Sequence, residues 1–256
     1  MRVETKHFAP FAVAILALIV SCCTSTSGVA GYWQKHDVTV TESNYREAED
    51  CFAEFAELAA TAPLEEGLAA LDTLFNHLLA DGVSYYVYSE WMVSAFHSIL
   101  SPCRNPVLFA KAVERLSSDG IMSRGEVAPL MELAAKDMLN APGSPCTLPE
   151  LTDADGSPAP WSPGSETVFV LVNLDCATCV GALNALGGEP GEHVALCYGR
   201  TPAPEISGWE YRYSNRLGEI FDLEAAPFWF SVDAAGKVRT AYSPIPHKEF
   251  AIPEQL

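Results

Sequence analysis

The spacing of hydrophobic and polar positions changes about halfway along this chain. Over residues 43–139 apolar side chains recur every three or four positions, the mark of helices with one buried face. Cys51, Phe52, Phe55, Leu58 and Ala59 form the first such face, with Ser43 or Asn44 as its cap and Glu47 placed to close a capping box. Leu68, Leu71, Leu74, Phe75, Leu78 and Leu79 form the second, which Pro63 opens and Gly82 ends. An aromatic-rich helix over 85–100 is stopped by Pro102, and two further helices follow over 107–116 and 126–139. No strand-like alternation interrupts them, so 43–141 is expected to be an all-α domain.

Residues 142–165 are rich in Pro, Gly and Ser and read as a linker and domain entry, with 146–151 as a short extended segment. The pattern then changes. Thr167, Val168, Phe169, Val170, Leu171 and Val172 make an unbroken apolar, β-branched run, as in a strand buried on both faces. A helix over 176–186, a strand over 193–198, a short helix or turn over 217–223 and a strand over 228–232 follow. A turn at 233–236 leads into a fourth strand over 237–242. Residues 166–256 are therefore expected to form an α/β domain, a central mixed sheet flanked by helices.

Composition narrows the partners. The chain has 256 residues, 49% hydrophobic and 19% charged, which are globular proportions. A formal net charge of -18 repels phosphate backbones, so no nucleic-acid partner is expected. Nor does it draw the chain to anionic lipid. Any membrane attachment must come from the N-terminus, where Arg2 and Lys6 precede an apolar stretch over 8–20. That stretch has the length of a signal-peptide core rather than of a span. It ends in Ile19-Val20-Ser21-Cys22, which resembles a lipobox. The likeness implies a leader over 1–21, cleavage before Cys22 and acylation of its thiol, which supplies the tether that charge cannot. An ordinary leader cut near Ala30 is the alternative. Residues 22–42 then read as the lipidated Cys and a flexible tether. No acidic cluster follows Cys22, which points to a periplasm-facing anchor.

Eight cysteines are present, and exported proteins live where disulfides persist. Cys51 reads as buried core, Cys103 and Cys146 as a conceivable staple around the last two helices, and Cys197 as core at a strand end. Trp91, Tyr85, Tyr86 and Tyr88 read as helical core, and the six scattered histidines suggest no catalytic pairing. Cys176-Ala177-Thr178-Cys179 carries the chemistry. It follows a buried strand and opens a helix, so the first sulfur faces free N–H groups and the positive end of the dipole. Both favour the thiolate, and the second Cys lies one turn on, within reach of a mixed disulfide. A structural disulfide and half of a zinc site are the other readings. Zinc needs four ligands, and no second CxxC or paired-His motif supplies them, with only Cys197 and His193 in reserve. No metal and no organic cofactor is expected.

Far along the chain, Glu224-Ala225-Ala226-Pro227-Phe228-Trp229-Phe230 puts a proline directly before an apolar strand. With the CxxC, the strand order and the turn at 233–236, this resembles the thioredoxin-like proteins, especially the tethered thiol–disulfide oxidoreductases of the bacterial envelope, over about residues 145–245. The resemblance implies Cys176 as attacking nucleophile, Cys179 as resolving thiol, and Pro227 as a cis-proline lining the substrate site. It also implies client proteins with thiols or disulfides, a redox partner that resets the pair, and a place in a Gram-negative cell envelope. Residues 43–150, with the Pro142-Gly143-Ser144-Pro145 junction, resemble the helical region of unassigned function that precedes such domains in certain lipoproteins of anaerobic Gram-negative bacteria. The chain departs from the family pattern in several places. Asp175 replaces the Trp before the first Cys, and a carboxylate there is expected to raise the Cys176 pKa. Val170 stands where thioredoxin buries an Asp, and Val180 replaces a basic residue. The alternative function is a non-catalytic envelope lipoprotein that binds proteins through both domains.

Overall fold

The computed structural model describes residues 28–186, 192–204 and 206–245. The expected leader over 1–21 and the expected lipid-bearing Cys22 lie outside them. Among the described residues no helix is long and apolar enough to cross a membrane.

Five helices make the first half: α1 (Tyr45–Thr61), α2 (Leu64–Leu78), α3 (Gly82–Phe96), α4 (Pro106–Ser118) and α5 (Arg124–Leu139). Their apolar faces meet in one core that contains Phe52, Phe55, Leu71, Leu74, Tyr88, Phe96 and Phe109. Tyr85, Tyr88 and Trp91 are buried in it, while Tyr86 sits at the surface.

Local chemistry shifts several expected boundaries. Asn44 does not cap α1 with its side chain. Its Oδ1 accepts from the Thr41 N–H and hydroxyl, and its Nδ2 donates to the Thr39 carbonyl, so it stitches the preceding loop instead. Gly82 starts α3 rather than ending α2, because the Asp81 carboxylate accepts the Val83 and Ser84 N–H groups as an N-cap. Helix α3 stops at Phe96, before Leu100 and Pro102. Among the described residues a capping box closes at α5, where Ser123 and Glu126 exchange hydrogen bonds.

The described part of the expected tether is not free chain. A 3-10 turn over Val29–Gln34 buries Val29, Tyr32 and Trp33 in the helical core, and Val38 and Val40 follow. Two aromatic rings bury enough apolar surface to hold this segment down.

The second half is a five-stranded mixed sheet in the order β3-β2-β1-β4-β5. Its strands are β1 (Thr167–Asn173), β2 (Glu192–Tyr198), β3 (Glu210–Tyr213), β4 (Phe228–Val232) and β5 (Ser243–Pro244), with α6 (Ala177–Leu186) between β1 and β2 and α7 (Leu217–Ile220) before β4. Strands β1, β2 and β3 run parallel, and β4 is antiparallel to both β1 and β5. The unbroken apolar run of β1 has a direct cause. Phe169 and Leu171 point into one core with Phe228, Phe230 and Phe221, while Val170 and Val172 point into another under α6.

Residues 237–242 do not form the expected regular strand. They return beside β4 through single contacts, including Arg239 N–H to the Ser231 carbonyl, and the pairing becomes regular only at β5. The turn itself is as read: the Asp233 carboxylate accepts the Ala235 and Lys237 N–H groups. Residues 142–165 wrap onto the sheet, with Cys146 N–H donating to Gly236 and Thr152 exchanging hydrogen bonds with Tyr213. Leu151 is buried in the sheet's core.

Candidate functional site

The C-terminal end of β1 delivers Asn173, Leu174 and Asp175, and the chain turns into α6 at Cys176. The Cys176 N–H donates to the Asn173 carbonyl, and its own carbonyl accepts the Val180 N–H, so the sulfur sits at the first turn of α6. Cys176 is half-buried, and Cys179 is only 2% exposed under the sheet. Their thiols differ accordingly. Hydrogen bonds from the Cys179 N–H and thiol lower the Cys176 pKa, burial opposes them less strongly, and the Thr178 N–H and hydroxyl add to the lowering. Burial pushes the Cys179 thiol up to about 11; the charge of Cys176 adds to this, and a hydrogen bond from the Asn173 backbone opposes it. One sulfur is reachable and inclined to ionise, while its neighbour is buried and keeps its proton.

Asp175 does not act as its sequence position suggests. Its carboxylate accepts the Arg200 N–H and the Thr201 N–H and hydroxyl, which hold it well below the usual carboxylate range and turn it toward the loop after β2. The Cys176 thiol is lowered, not raised, through its hydrogen bonds from Cys179 and Thr178. The close approach requires Gly199: it adopts φ +107, and a Cβ there would stand 3.0 Å from Asp175 Oδ2. Val170 is fully buried beside Cys179, so no carboxylate lies beneath the resolving thiol there.

The Ala226–Pro227 peptide is cis. Pro227 and Thr178 line the same cavity, of about 490 Å³, and Cys176 and Ala226 pack against the same core. The cysteine pair and Pro227 therefore border one region of the fold, and Cys22 lies outside the described residues. One wall of the cavity comes from the other half of the chain: residues 97–100, in the loop between α3 and α4, face Pro227, Pro244 and Ile245.

That loop carries a charge network that sequence reasoning missed. His97 Nδ1 lies 2.7 Å from Asp137 Oδ2 on α5, and His97 Nε2 lies 3.5 Å from Asp222 Oδ2. The Arg104 guanidinium donates to the other Asp137 oxygen at 2.7 Å and lies over the Tyr242 ring. Burial works against a charged His97, but the hydrogen bonds to Asp137 and Asp222 outweigh it and raise its pKa to about 9. The four groups then balance as two cations and two anions. Asp222 also caps the turn over Leu223–Ala225, which leads to Pro227. A histidine closing a helix with a buried aspartate on a later one was the available signal, but the pairing spans 40 residues.

A second histidine has a partner as well. His36 Nδ1 lies 3.0 Å from Cys51 Sγ, and the Tyr32 ring stacks on the imidazole. Cys103 and Cys146 form no staple. Both are free thiols, Cys103 in the helical core and Cys146 against the sheet. Cys197 is buried in β2, and burial pushes its thiol up to about 12. Among the described residues no three His, Cys, Asp or Glu side chains gather as a metal site.

No known family profile matches the chain, and no curated protein matches it. Two solved structures do. A crystal structure of a thioredoxin-like protein from Bacteroides caccae ATCC 43185 superposes with a TM-score of 0.71 over 85% of this chain and 87% of that one, at 14% identity. The C-terminal domain of an uncharacterized protein from Bacteroides fragilis NCTC 9343 matches over 41% of this chain and 92% of that one, at 16% identity and a TM-score of 0.35. The first match extends well beyond the sheet into the helical half. The fold is thus an all-α region followed by a thioredoxin-like domain.

Proposed function

We propose that the protein is a thiol–disulfide oxidoreductase that acts on client proteins through Cys176 and Cys179. The asymmetry of the two thiols carries this reading. The Cys176 thiolate attacks a client disulfide, forming one S–S bond as the client's bond breaks and one client sulfur leaves as thiolate. Cys179 then gives up its proton and attacks Cys176, releasing the second client sulfur. The pair ends oxidised by two electrons and the client reduced, and a dithiol partner protein restores the pair. The reverse sequence oxidises a client dithiol. Once Cys176 is in the mixed disulfide its charge is gone, so burial alone holds the Cys179 thiol up.

The setting belongs to the same proposal. Cleavage before Cys22 and acylation there would tether the protein to the envelope of a Gram-negative bacterium, facing the periplasm, where client disulfides persist. Pro227 lines the cavity where the client chain would lie, and the chemistry asks for no metal or organic cofactor.

Redox titration of the Cys176–Cys179 pair against dithiol buffers tests the reading. A midpoint between about -270 and -120 mV, the working range of such enzymes, is expected. A midpoint below about -300 mV marks a structural bond and overturns it.

A further inference from the structure

The helical half forms part of the cleft beside the cysteine pair, and its chemistry points to what the cleft takes. Leu100 is 73% exposed, with its neighbour Ile99 packed against the sheet's core. A lone exposed Leu needs no explanation. This one stands where two cavities meet. On one side is the cavity of Thr178 and Pro227. On the other is a cavity of about 450 Å³ on the helical half, lined by Phe52 and Trp91 and sharing Ser98 and Leu100 with the first. A mostly apolar groove therefore runs from Thr178 and Pro227, beside the cysteine pair, onto the helices.

His97 lines the first cavity as a cation already held by Asp137 and Asp222, and the charges along the groove that lack a partner have one sign. Glu224 edges the first cavity, and Glu49 and Glu57 edge the second. Asp222 is answered by His97, and Glu49 has an exposed Arg46 at 3.7 Å. Glu57 and Glu224 have no ion-pair partner among the described residues. No Lys or Arg among the described residues lines either cavity. The whole chain, at -18, reinforces this field.

We infer that the groove takes an extended segment of a client polypeptide that carries apolar side chains and a Lys or Arg near its reacting cysteine, with the helical half as the wall that selects it. This inference rests on the oxidoreductase reading. An apolar residue of the segment packs on Leu100 and Trp91 while its cation lies near Glu224 or Glu57. Anionic small disulfides gain neither contact and are repelled, so the groove sorts clients before the mixed disulfide forms. The electrons move as in the exchange above; only the encounter is biased.

The test uses the full chain in its reduced form and single-turnover rates with three disulfides. Two are matched peptides holding Leu beside a disulfide-bonded cysteine, one with two Lys and one with two Glu, and the third is a small uncharged aromatic disulfide. The Lys peptide is expected to react at least about tenfold faster than the Glu peptide, with the ratio shrinking as salt is added. In the double variant Glu57→Gln, Glu224→Gln the ratio should fall at least about threefold, leaving the preference that the net charge imposes, and Leu100→Ser should slow the Lys peptide. Equal peptide rates, a preference for the Glu peptide, or a Lys preference undiminished in the double variant would each overturn the inference while reaction with the small disulfide upholds the exchange chemistry. Inertness toward all three disulfides would remove that chemistry, and the inference with it.

Discussion

His97 Nε2 lies 3.5 Å from Asp222 Oδ2, and this contact joins the helical half of the chain to the turn that leads into Pro227. The same imidazole is held more closely by Asp137, at 2.7 Å. The junction between the halves is therefore a charged one, and it has a pH dependence.

With its pKa raised to about 9, His97 contributes stability that is fully present below its unfolded value near 6.5 and is lost as pH rises through about 9. The thermal midpoint of the protein should accordingly fall between pH 7 and about 9.5. Thermal melts of the His97→Gln variant over the same range should show a shallower fall, and parallel curves for the two proteins would contradict the assignment.

Asp137 is the centre of that network, with its side chain almost wholly buried between His97 and Arg104. The Arg104 Nε and Nη1 already lack partners, so the guanidinium depends on this carboxylate. Asp137→Ala should cost about 3–5 kcal/mol in chemical denaturation, because it leaves the buried Arg104 uncompensated and His97 with only the longer contact to Asp222. Asp222→Ala, at a longer and more exposed contact, should cost clearly less.

Much of this was open to sequence reading, for physical reasons. Strand β4 and the turn after it were legible because the strand is apolar but for Ser231 and the turn needs Asp233 and Gly236. The five helices were legible because their apolar faces repeat. Strand β3 was not, since Glu210–Tyr213 lies at an edge, half exposed, with no apolar run to mark it. The turn over Val29–Gln34 was missed because polar residues surround its few buried side chains. At the site, the two cysteines and Pro227 stood out as motifs. The orientation of Asp175 did not, because the Thr201 hydroxyl, the backbone N–H groups of Arg200 and Thr201 and the room left at Gly199 all lie on a loop about 25 residues away.

That orientation has its own consequence. Gly199→Ala places a Cβ against Asp175 and forces an unfavourable φ, at a cost of about 1–3 kcal/mol. The displaced carboxylate would move toward Cys176 and raise its pKa. Ultraviolet thiolate titration of the Gly199→Ala and Thr201→Val variants should show Cys176 ionising at higher pH than in the parent. An unchanged titration would mean that Asp175 has no influence on the sulfur in either position.

Resolution should be slow at neutral pH. In the mixed disulfide burial still holds the Cys179 thiol above its ordinary value, and buried Val170 offers no base beneath it. The rate at which a preformed mixed disulfide on Cys176 collapses should rise by close to tenfold per pH unit between about pH 7 and 9, following the thiolate fraction. Stopped-flow release of a chromophoric thiol reads this directly, and a flat profile would show that another group takes the proton.

Client trapping with Cys179→Ser in the native host, read on non-reducing gels, bears most directly on the exchange mechanism. With the resolving thiol gone, Cys176 should accumulate mixed disulfides with client proteins, and these adducts should vanish when Cys176 is also changed to Ser. Absence of adducts from a well-expressed, correctly exported variant, or adducts that persist in the double variant, would contradict the assignment of Cys176 as the nucleophile.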